Sequence, residues 1–294
     1  MWDTDYHPFT KMIRFSFLNN TPVNSLHHAF LGAFSDYQVD MRMPLEDFEF
    51  RLRRDGVDTS ISVGAFDNNQ LVGFCLNGSG SWQGEPTVYD AGTGVLPQRR
   101  GKGIAAEMFR FMNPQLKERG FSRYLLEVLT SNEPAVNLYR RLGFEETRRF
   151  AVFRTTDPVS YRVNAFAEIR RVEVPDWKLY QTFWTGYPSW QNSIEAVQRV
   201  VDTTATLECH LDHRCVGYGV VSKSSGQLIQ LAVDPSNRRR GLASKLLDEL
   251  QNCVTGSASI KVNNVDENLK DATAFFEAVG FSLVLEQYEM ILNL

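Results

Sequence analysis

A phosphate-binding turn is predicted at residues 94–109, GVLPQRRGKGIAAEMF, where basic residues and glycines precede a run with the pattern of a helix. Arg99, Arg100 and Lys102 crowd this helix start, which carries partial positive charge of its own. A cation there is unfavourable by a few tenths to about 1 kcal/mol unless an anion neutralises it. Glycine lets a ligand approach the backbone, and the free N–H groups of a first helical turn bind phosphate. The segment therefore predicts an anion site.

The same pattern occurs again at residues 232–250, AVDPSNRRRGLASKLLDEL. In both copies a valine stands two residues before a proline and five before an arginine of the turn. The predicted binding residues of the first copy are Val95, Arg100, Gly101, Lys102, Gly103, Ile104 and Ala105. Those of the second copy are Val233, Arg238, Arg239, Arg240, Gly241, Leu242 and Ala243.

The elements that must position these turns also repeat. ISVGAFDNNQLVGFCLNG and TLECHLDHRCVGYGVVS each predict two strands joined by a short turn. Each copy then has a strand that leads into the basic turn and an amphipathic helix that follows it. A further strand (YLLEVL or ASIKVN), a short helix, and a Gly-Phe pair opening a last strand complete the copy. With TTDPVSYRVN as the linker, the repeat predicts two domains, 1–156 and 157–294.

The totals agree with this division and exclude some functions. A chain of 294 residues suits two domains of about 150 residues each, and 43% hydrophobic with 22% charged residues is typical of a globular protein. The net charge of −4 argues against a nucleic-acid partner. No segment has the pattern of a signal peptide or a bilayer span, so we expect a cytoplasmic monomer or homodimer without membrane association.

The cysteines and histidines predict neither disulfides nor a metal site. Cys75, Cys209, Cys215 and Cys253 form no CxxC pair, and we expect reduced thiols. The segment CHLDHRC groups Cys209, His210, His213 and Cys215, which are metal-ligand types. Because the segment alternates like two strands joined by a turn, neighbouring side chains point to opposite faces and cannot all converge on one ion.

The Arg-x-x-Gly-x-Ala turn after Val-x-Pro, followed by LEVLTSNEPAVNLYRRLGF, resembles the GCN5-related N-acetyltransferase (GNAT) superfamily. The chain looks like two such domains in tandem. The resemblance implies an α/β (α+β) fold in which each domain is a mixed, mostly antiparallel twisted sheet, flanked by helices and splayed at its central strands. It also implies acetyl-coenzyme A as cosubstrate, with its pyrophosphate on the basic turn and its pantetheine arm paired to the splayed strand.

The resemblance assigns catalytic residues to the first copy. Tyr139 corresponds to the family's tyrosine, whose phenol can donate a proton to the leaving thiolate. Glu127, twelve residues earlier, has the spacing of a glutamate base in ribosomal-protein alanine N-acetyltransferases. Asp90, on the adjacent predicted strand, is the alternative base. Asn132 is expected to cap the helix that carries Tyr139 or to reach the pantetheine arm.

The second copy departs from this pattern. Matching its Gly-Phe pair to that of the first places Phe276 where Tyr139 stands, and IKVNN offers no glutamate. We therefore expect an N-acetyltransferase that acts on a primary amine of a small molecule or a peptide N-terminus through its first domain. The alternatives are catalysis in the second domain, or a coenzyme A sensor or scaffold without turnover. Candidates for acceptor contacts are NGSGSWQGEP, HHAFLGAFSDYQVDMRMP and FWTGYPSWQNS, whose aromatic residues are expected either to line an acceptor cleft or to pack the domain interface.

Overall fold

The computed structural model describes residues 13–155, 166–256 and 259–294. Its contacts divide the chain into two compact units. Unit 1 is the chain up to Leu125 together with Leu292–Leu294, and unit 2 is Leu126–Ile291. Residues 156–164 of the expected linker TTDPVSYRVN lie outside the described residues. The domain boundary between 156 and 157 therefore stays a prediction drawn from the sequence repeat.

Unit 1 is built on a meander of antiparallel strands. Its elements are β1 (Arg14–Phe17), α1 (Val23–Ala33), α2 (Leu45–Asp55), β2 (Val63–Asp67), β3 (Gln70–Trp82), β4 (Glu85–Val95), α3 (Ile104–Glu118) and the start of β5 (Arg123–Leu129). Strands β1 to β4 pair in chain order. The helix α3 buries an apolar stripe that includes Met108, Phe109, Met112 and Leu116 against this sheet, as its spacing predicts.

One expected loop of unit 1 is a hairpin instead. NGSGSWQGEP was expected among the acceptor-binding loops, yet residues 77–82 end β3 and residues 85–86 begin β4. Only Gln83 and Gly84 connect the strands, with φ of 51° and 85°. Two successive residues at positive φ match the right-handed twist of a hairpin, which allows so short a connection.

Unit 2 carries the rest of the chain. Its elements are the end of β5, α4 (Glu133–Arg141), β6 (Glu145–Arg154), β7 (Glu168–Val172), α5 (Trp177–Gln181), α6 (Ile194–Arg199), β8 (Thr204–Leu211), β9 (Arg214–Ser222), β10 (Gln227–Val233), α7 (Leu242–Gln251), β11 (Lys261–Asp266), α8 (Lys270–Ala278) and β12 (Ser282–Asn293). Its strand order is β5–β12–β6–β11–β10–β9–β8–β7. The last strand, β12, lies between β5 and β6, which both belong to the first sequence copy.

The pairing in unit 2 matches the expected mixed, mostly antiparallel sheet. Strands β10 and β11 run parallel, while the pairs formed by β12 with β6, β6 with β11, and β7 to β10 in succession are antiparallel. The helix α7 buries Leu246, Leu247 and Leu250 in the main apolar core of the unit, as its sequence pattern predicts. Among the residues that the structure describes, no helix combines the length and apolar character needed to cross a membrane.

Candidate functional site

The two basic turns have the same backbone shape. Each begins with a short 3₁₀ helix, Pro97–Arg99 or Pro235–Asn237, and ends where Gly103 or Gly241 starts α3 or α7. These glycines have φ of 75° and 76°, and a Cβ added to either would meet no atom within 4 Å. The space in front of both helix starts is therefore open, as close approach by a ligand requires.

The second turn adopts this shape even where it lacks glycine. Gly101 has φ of 74°, and its counterpart Arg239 has φ of 61°. The left-handed region is uncommon for a residue other than glycine. Because Arg239 adopts this left-handed backbone conformation, the turn has the same geometry in both copies.

The leading arginine of each turn is bound to main-chain carbonyls. Arg100 donates to the oxygens of Val95 and Ala33 at 3.1 and 2.7 Å. Arg238 donates to those of Val233 and Phe183 at 3.0 and 2.9 Å. Both side chains thus hold the turn against the end of the preceding strand and against a segment upstream, the last residue of α1 for Arg100 and the turn after α5 for Arg238.

The charge crowding of the first turn is largely balanced within the protein. Arg99 forms an ion pair with Asp67, and Arg100 forms one with Asp36 at 2.8 Å. Lys102 is exposed and has no ion-pair partner within the described ranges. Two of the three charges that suggested an awaited anion are therefore paired with carboxylates, and Lys102 is the cation left for a ligand.

The second turn keeps more unbalanced positive charge. Arg240 donates to the amide oxygen of Asn237 at 2.7 Å, and Arg239 is exposed. Neither arginine forms an ion pair in the part of the chain that is described. This turn therefore presents two uncompensated guanidinium groups, which favours binding of a phosphorylated ligand.

Beside the second turn, unit 2 contains a cleft of about 890 Å³. Strands β10 and β11 pair only at Gln227 with Lys261 and at Leu228 with Val262, after which both strands line the cleft. The predicted splay between these strands is confirmed. The turn residues Arg238 and Arg239 line the same cleft, together with residues 183–188 of the predicted segment FWTGYPSWQNS.

Asn192 links the two separated strands. Its backbone oxygen accepts a hydrogen bond from the Gln230 side chain of β10 at 2.7 Å, and its own amide donates to the Asn263 carbonyl of β11 at 3.0 Å. The Gln230 side chain also accepts from the Tyr218 hydroxyl at 2.7 Å. Sequence reasoning missed this polar lining, because its partners come together only when residues far apart in the chain meet in the fold.

The strand before each turn carries a β-bulge at the same place. The pairing shifts at Ala91 in β4 and at Ile229 in β10, four residues before Val95 and Val233 respectively. Asp90 lies at the first bulge, 7% exposed, where its carboxylate accepts from the Gly92 amide and the Thr93 hydroxyl at 2.9 and 2.7 Å. Through these two hydrogen bonds Asp90, the alternative base, stabilises the bulge.

Tyr139 and Phe276 occupy equivalent positions. Tyr139, on α4, is 7% exposed, and its ring centroid lies 5.6 Å from that of Phe144 at an angle of 63°. Phe276, on α8, is 6% exposed and lies 5.6 Å from Phe281 at 70°. The residue numbers differ by 137 in both pairs. The structure therefore supports the match made from the sequence, and the two positions differ by one hydroxyl group.

The same offset relates Glu127 to Asn264. Glu127 is half-buried on β5, and Asn264 is buried on β11 with its side chain bonded to Ser189 and Gln287. Asn264 and Phe276 both line the cleft of unit 2. Since the two copies share one local plan, we expect Glu127 and Tyr139 to face a donor site in the same way.

The two copies also differ in the residue that precedes the short helix. Asn132 accepts a hydrogen bond from the Ala135 amide at 3.3 Å and caps α4, as predicted. At an offset of 137, Leu269 precedes α8 and provides no side-chain cap. The second copy has thus lost the carboxylate, the capping amide and the phenol, but it has kept the turn.

Sequence reasoning also missed the Arg148 side chain of β6, which lies near Glu127. Arg148 donates to both carboxylate oxygens of the buried Glu289 at 2.8 and 2.6 Å. Burial opposes its charge, but the hydrogen bonds and charge of Glu289, and then the charges of Asp266 and Glu127, hold the pKa of Arg148 above its usual range.

Comparison with known proteins agrees with the repeat. The model of the acetyltransferase (GNAT) family matches residues 23–144, and the model of an acetyltransferase (GNAT) domain matches residues 204–283. The chain belongs to the GNAT acetyltransferase family. Members of this family are acyltransferases that use acetyl-coenzyme A.

Two curated GNAT relatives match parts of the chain. Streptothricin acetyltransferase of Streptomyces lavendulae is 37% identical over 86 residues, which is 29% of this chain and 43% of that protein. Mycothiol acetyltransferase of Thermobifida fusca is 32% identical over 120 residues, 38% of this chain and 37% of that protein. The chain thus spans less than half the length of these relatives.

The tandem fold also has a solved counterpart. The solved structure of a tandem GNAT protein from the clavulanic acid biosynthesis pathway, without acetyl-coenzyme A, aligns with a TM-score of 0.73 at 14% identity. The alignment covers 96% of this chain and 98% of that one. At this identity the likeness concerns the fold, and it extends over both copies.

Proposed function

We propose that this protein transfers an acetyl group from acetyl-coenzyme A to a primary amine, of a small molecule or a peptide N-terminus, with the catalytic residues in the first copy. The proposal is carried by a comparison of equivalent positions in the two copies, which are 137 residues apart. Where the first copy has Glu127, Asn132 and Tyr139, the second copy has asparagine, leucine and phenylalanine. None of these three side chains can accept a proton from an amine or donate one to a thiolate. That the relatives are named acetyltransferases supports the reaction.

The proposed reaction begins with deprotonation of the amine. Glu127 takes the proton, through a water molecule, so that the nitrogen lone pair attacks the thioester carbon and forms a carbon–nitrogen bond. Asp90 remains the alternative base, although its carboxylate already accepts two hydrogen bonds at the bulge.

The carbon–sulfur bond then breaks, and the thiolate of coenzyme A leaves. Tyr139 donates its phenolic proton to this sulfur, which becomes strongly basic only as the bond breaks. The hydrogen bond is therefore stronger in the transition state than with bound substrate, and it should affect kcat. Phe276 has no proton to give.

Both basic turns are proposed to bind the pyrophosphate of acetyl-coenzyme A. The open space at Gly103 and Gly241, and the lack of a side-chain cap at either helix start, support this assignment. Lys102 supplies charge in the first turn, and Arg239 with Arg240 supplies it in the second. The second copy would then bind the donor without turnover of its own.

Catalysis in the second copy is the other candidate, and the cleft of about 890 Å³ with the bonded Tyr218 and Gln230 favours it. Release of free coenzyme A thiol, followed with a panel of primary amines, tests the proposed reaction itself. We expect amine-dependent release that exceeds the rate without amine. Binding of acetyl-coenzyme A with no release for any amine would support a sensor or scaffold instead.

A further inference from the structure

Apart from the second basic turn and its cleft, three side chains that could bind a metal ion share one face of the hairpin formed by β8 and β9. Glu208 and His210 stand two residues apart on β8, and Cys215 on β9 is the direct partner of His210 across the hairpin. One ligand atom from each residue lies within 4.8 Å of those of the other two. Residues two apart on a strand face the same side, so the pairing register brings the three together.

These three are not the four residues that the sequence grouped. Cys209 points to the opposite face, where it is fully buried in the apolar core beneath α7. His213 is exposed in the turn, with φ of 64°. The alternation argument correctly separated those residues. It did not consider Glu208, whose place in the group depends on the strand register.

The donors are a carboxylate oxygen, an imidazole nitrogen and a thiol sulfur, a set that suits Zn²⁺. Ligand atoms around tetrahedral zinc lie roughly 3.3–3.8 Å apart, given bonds of about 2.0–2.3 Å. The three side chains therefore need to move by only about 1 Å to reach this spacing. Such a shift lies within the range of small rotations of side chains that are held on two paired strands.

The His210 side chain already lies against a second member of the group. It is 10% exposed, and its Nε2 lies 2.7 Å from a carboxylate oxygen of Glu208. A bound ion would take the place of the proton that these two atoms share, so that Nε2 and the carboxylate would both become ligands. The hydrogen bond therefore shows that the two donor atoms already face one another.

Glu208 is held in place from its other side. The Tyr180 hydroxyl of α5 donates to its second oxygen at 2.6 Å, and the Tyr180 ring stacks on Tyr218 with centroids 3.9 Å apart. A metal ion bound to Glu208 would therefore also hold α5 on the sheet, through the hydrogen bond from Tyr180.

We propose that Glu208, His210 and Cys215 bind one Zn²⁺ ion, or a similar divalent transition-metal ion, in unit 2, with a water molecule as the fourth ligand. The ion would join the two strands of the hairpin and, through Glu208, the helix α5. The site takes no part in acetyl transfer as derived above, and its test does not depend on that activity.

The experiment measures zinc affinity of the full chain, first stripped with a chelator, in competition with a chromophoric zinc indicator. We expect one equivalent to bind, and Cys215→Ser and His210→Ala each to weaken binding by at least about tenfold. The matched controls are Cys253→Ser, another partly buried thiol, and His213→Asn, which suits the left-handed backbone. Both should bind as the unaltered chain does. Co²⁺ should give thiolate-to-metal charge-transfer absorption that Cys215→Ser removes and Cys253→Ser keeps.

A second measurement, made on the unaltered chain, tests the proposal even if the variants fail to fold. Zinc should slow alkylation of Cys215 by iodoacetamide, followed by mass spectrometry of the peptides, and should leave Cys253 at its metal-free rate. The proposal is overturned if zinc protects both cysteines equally or neither. It is also overturned if folded Cys215→Ser binds zinc as tightly as the unaltered chain.

Discussion

Replacement of Gly103 by valine tests whether the first turn binds the pyrophosphate. The residue has φ of 75°, and a Cβ there would meet no protein atom within 4 Å. The valine side chain would therefore enter the open space in front of α3 without displacing any part of the fold. Any ligand that approaches the helix start would meet it.

The structure allows the effect on binding to be separated from the effect on stability. A left-handed backbone costs a residue other than glycine about 1–2 kcal/mol, more for a branched one. Gly120→Val imposes the same kind of strain, because Gly120 has φ of 89° and equally open surroundings. Loss of one charge-assisted hydrogen bond to phosphate is worth about 1.5–3 kcal/mol, which is roughly a 10- to 100-fold weaker affinity.

The assay is isothermal titration calorimetry with acetyl-coenzyme A, on variants whose folding is checked by circular dichroism. We expect two equivalents to bind to the unaltered chain, and one of the two to bind roughly 10- to 100-fold more weakly to Gly103→Val or to Gly241→Val. The control Gly120→Val should keep both. A folded Gly103→Val protein that binds both equivalents with unchanged affinity would refute the assignment of the first turn.

Three further predictions concern the catalytic base, the Arg148 ion pair and thiol reactivity. Glu127→Gln should lower kcat/KM by about 10² to 10⁴ with donor affinity unchanged in calorimetry, and the same loss in Asp90→Asn alone would exchange the two roles. Glu289→Leu removes the carboxylate that Arg148 binds with two hydrogen bonds and leaves Asp266 at 3.7 Å, so urea denaturation should show up to about 3–5 kcal/mol less stability, part of which Arg148→Met should restore. Burial, with the nearby charge of Asp90, raises the pKa of the Cys75 thiol well above its usual range. Because little thiolate then forms near neutral pH, Cys75 should react with a disulfide reagent only on unfolding, and rapid reaction in the folded chain would contradict this.

Much of the fold could be predicted because the sequence states it twice. The turns, both hairpins, the apolar stripes of α3 and α7, and the counterpart of Tyr139 all follow from local patterns that recur. Such patterns predict the structure correctly where neighbours in the sequence determine it. The segment 77–86 was predicted wrongly because its small residues suit a twisted hairpin with a tight turn as well as they suit a loop.

The features that were missed depend on distant partners. Ion pairs of Arg99 and Arg100 with Asp67 and Asp36 explain charges that the sequence attributed to an absent anion. Likewise, Glu208 joins His210 and Cys215 only through the register of two strands. Partner choice across a sheet is set by pairing and burial, which no single segment of the chain encodes.

The central claim is that the first copy performs catalysis through Tyr139. The measurement that tests it most directly is kcat for acetyl transfer by Tyr139→Phe, compared with Phe276→Leu, each shown to be folded and to bind acetyl-coenzyme A. Tyr139→Phe removes one hydroxyl and keeps the ring contact with Phe144, so kcat should fall with donor affinity unchanged. Phe276→Leu should keep kcat. Full kcat in Tyr139→Phe together with a loss in Phe276→Leu would place catalysis in the second copy and contradict the account.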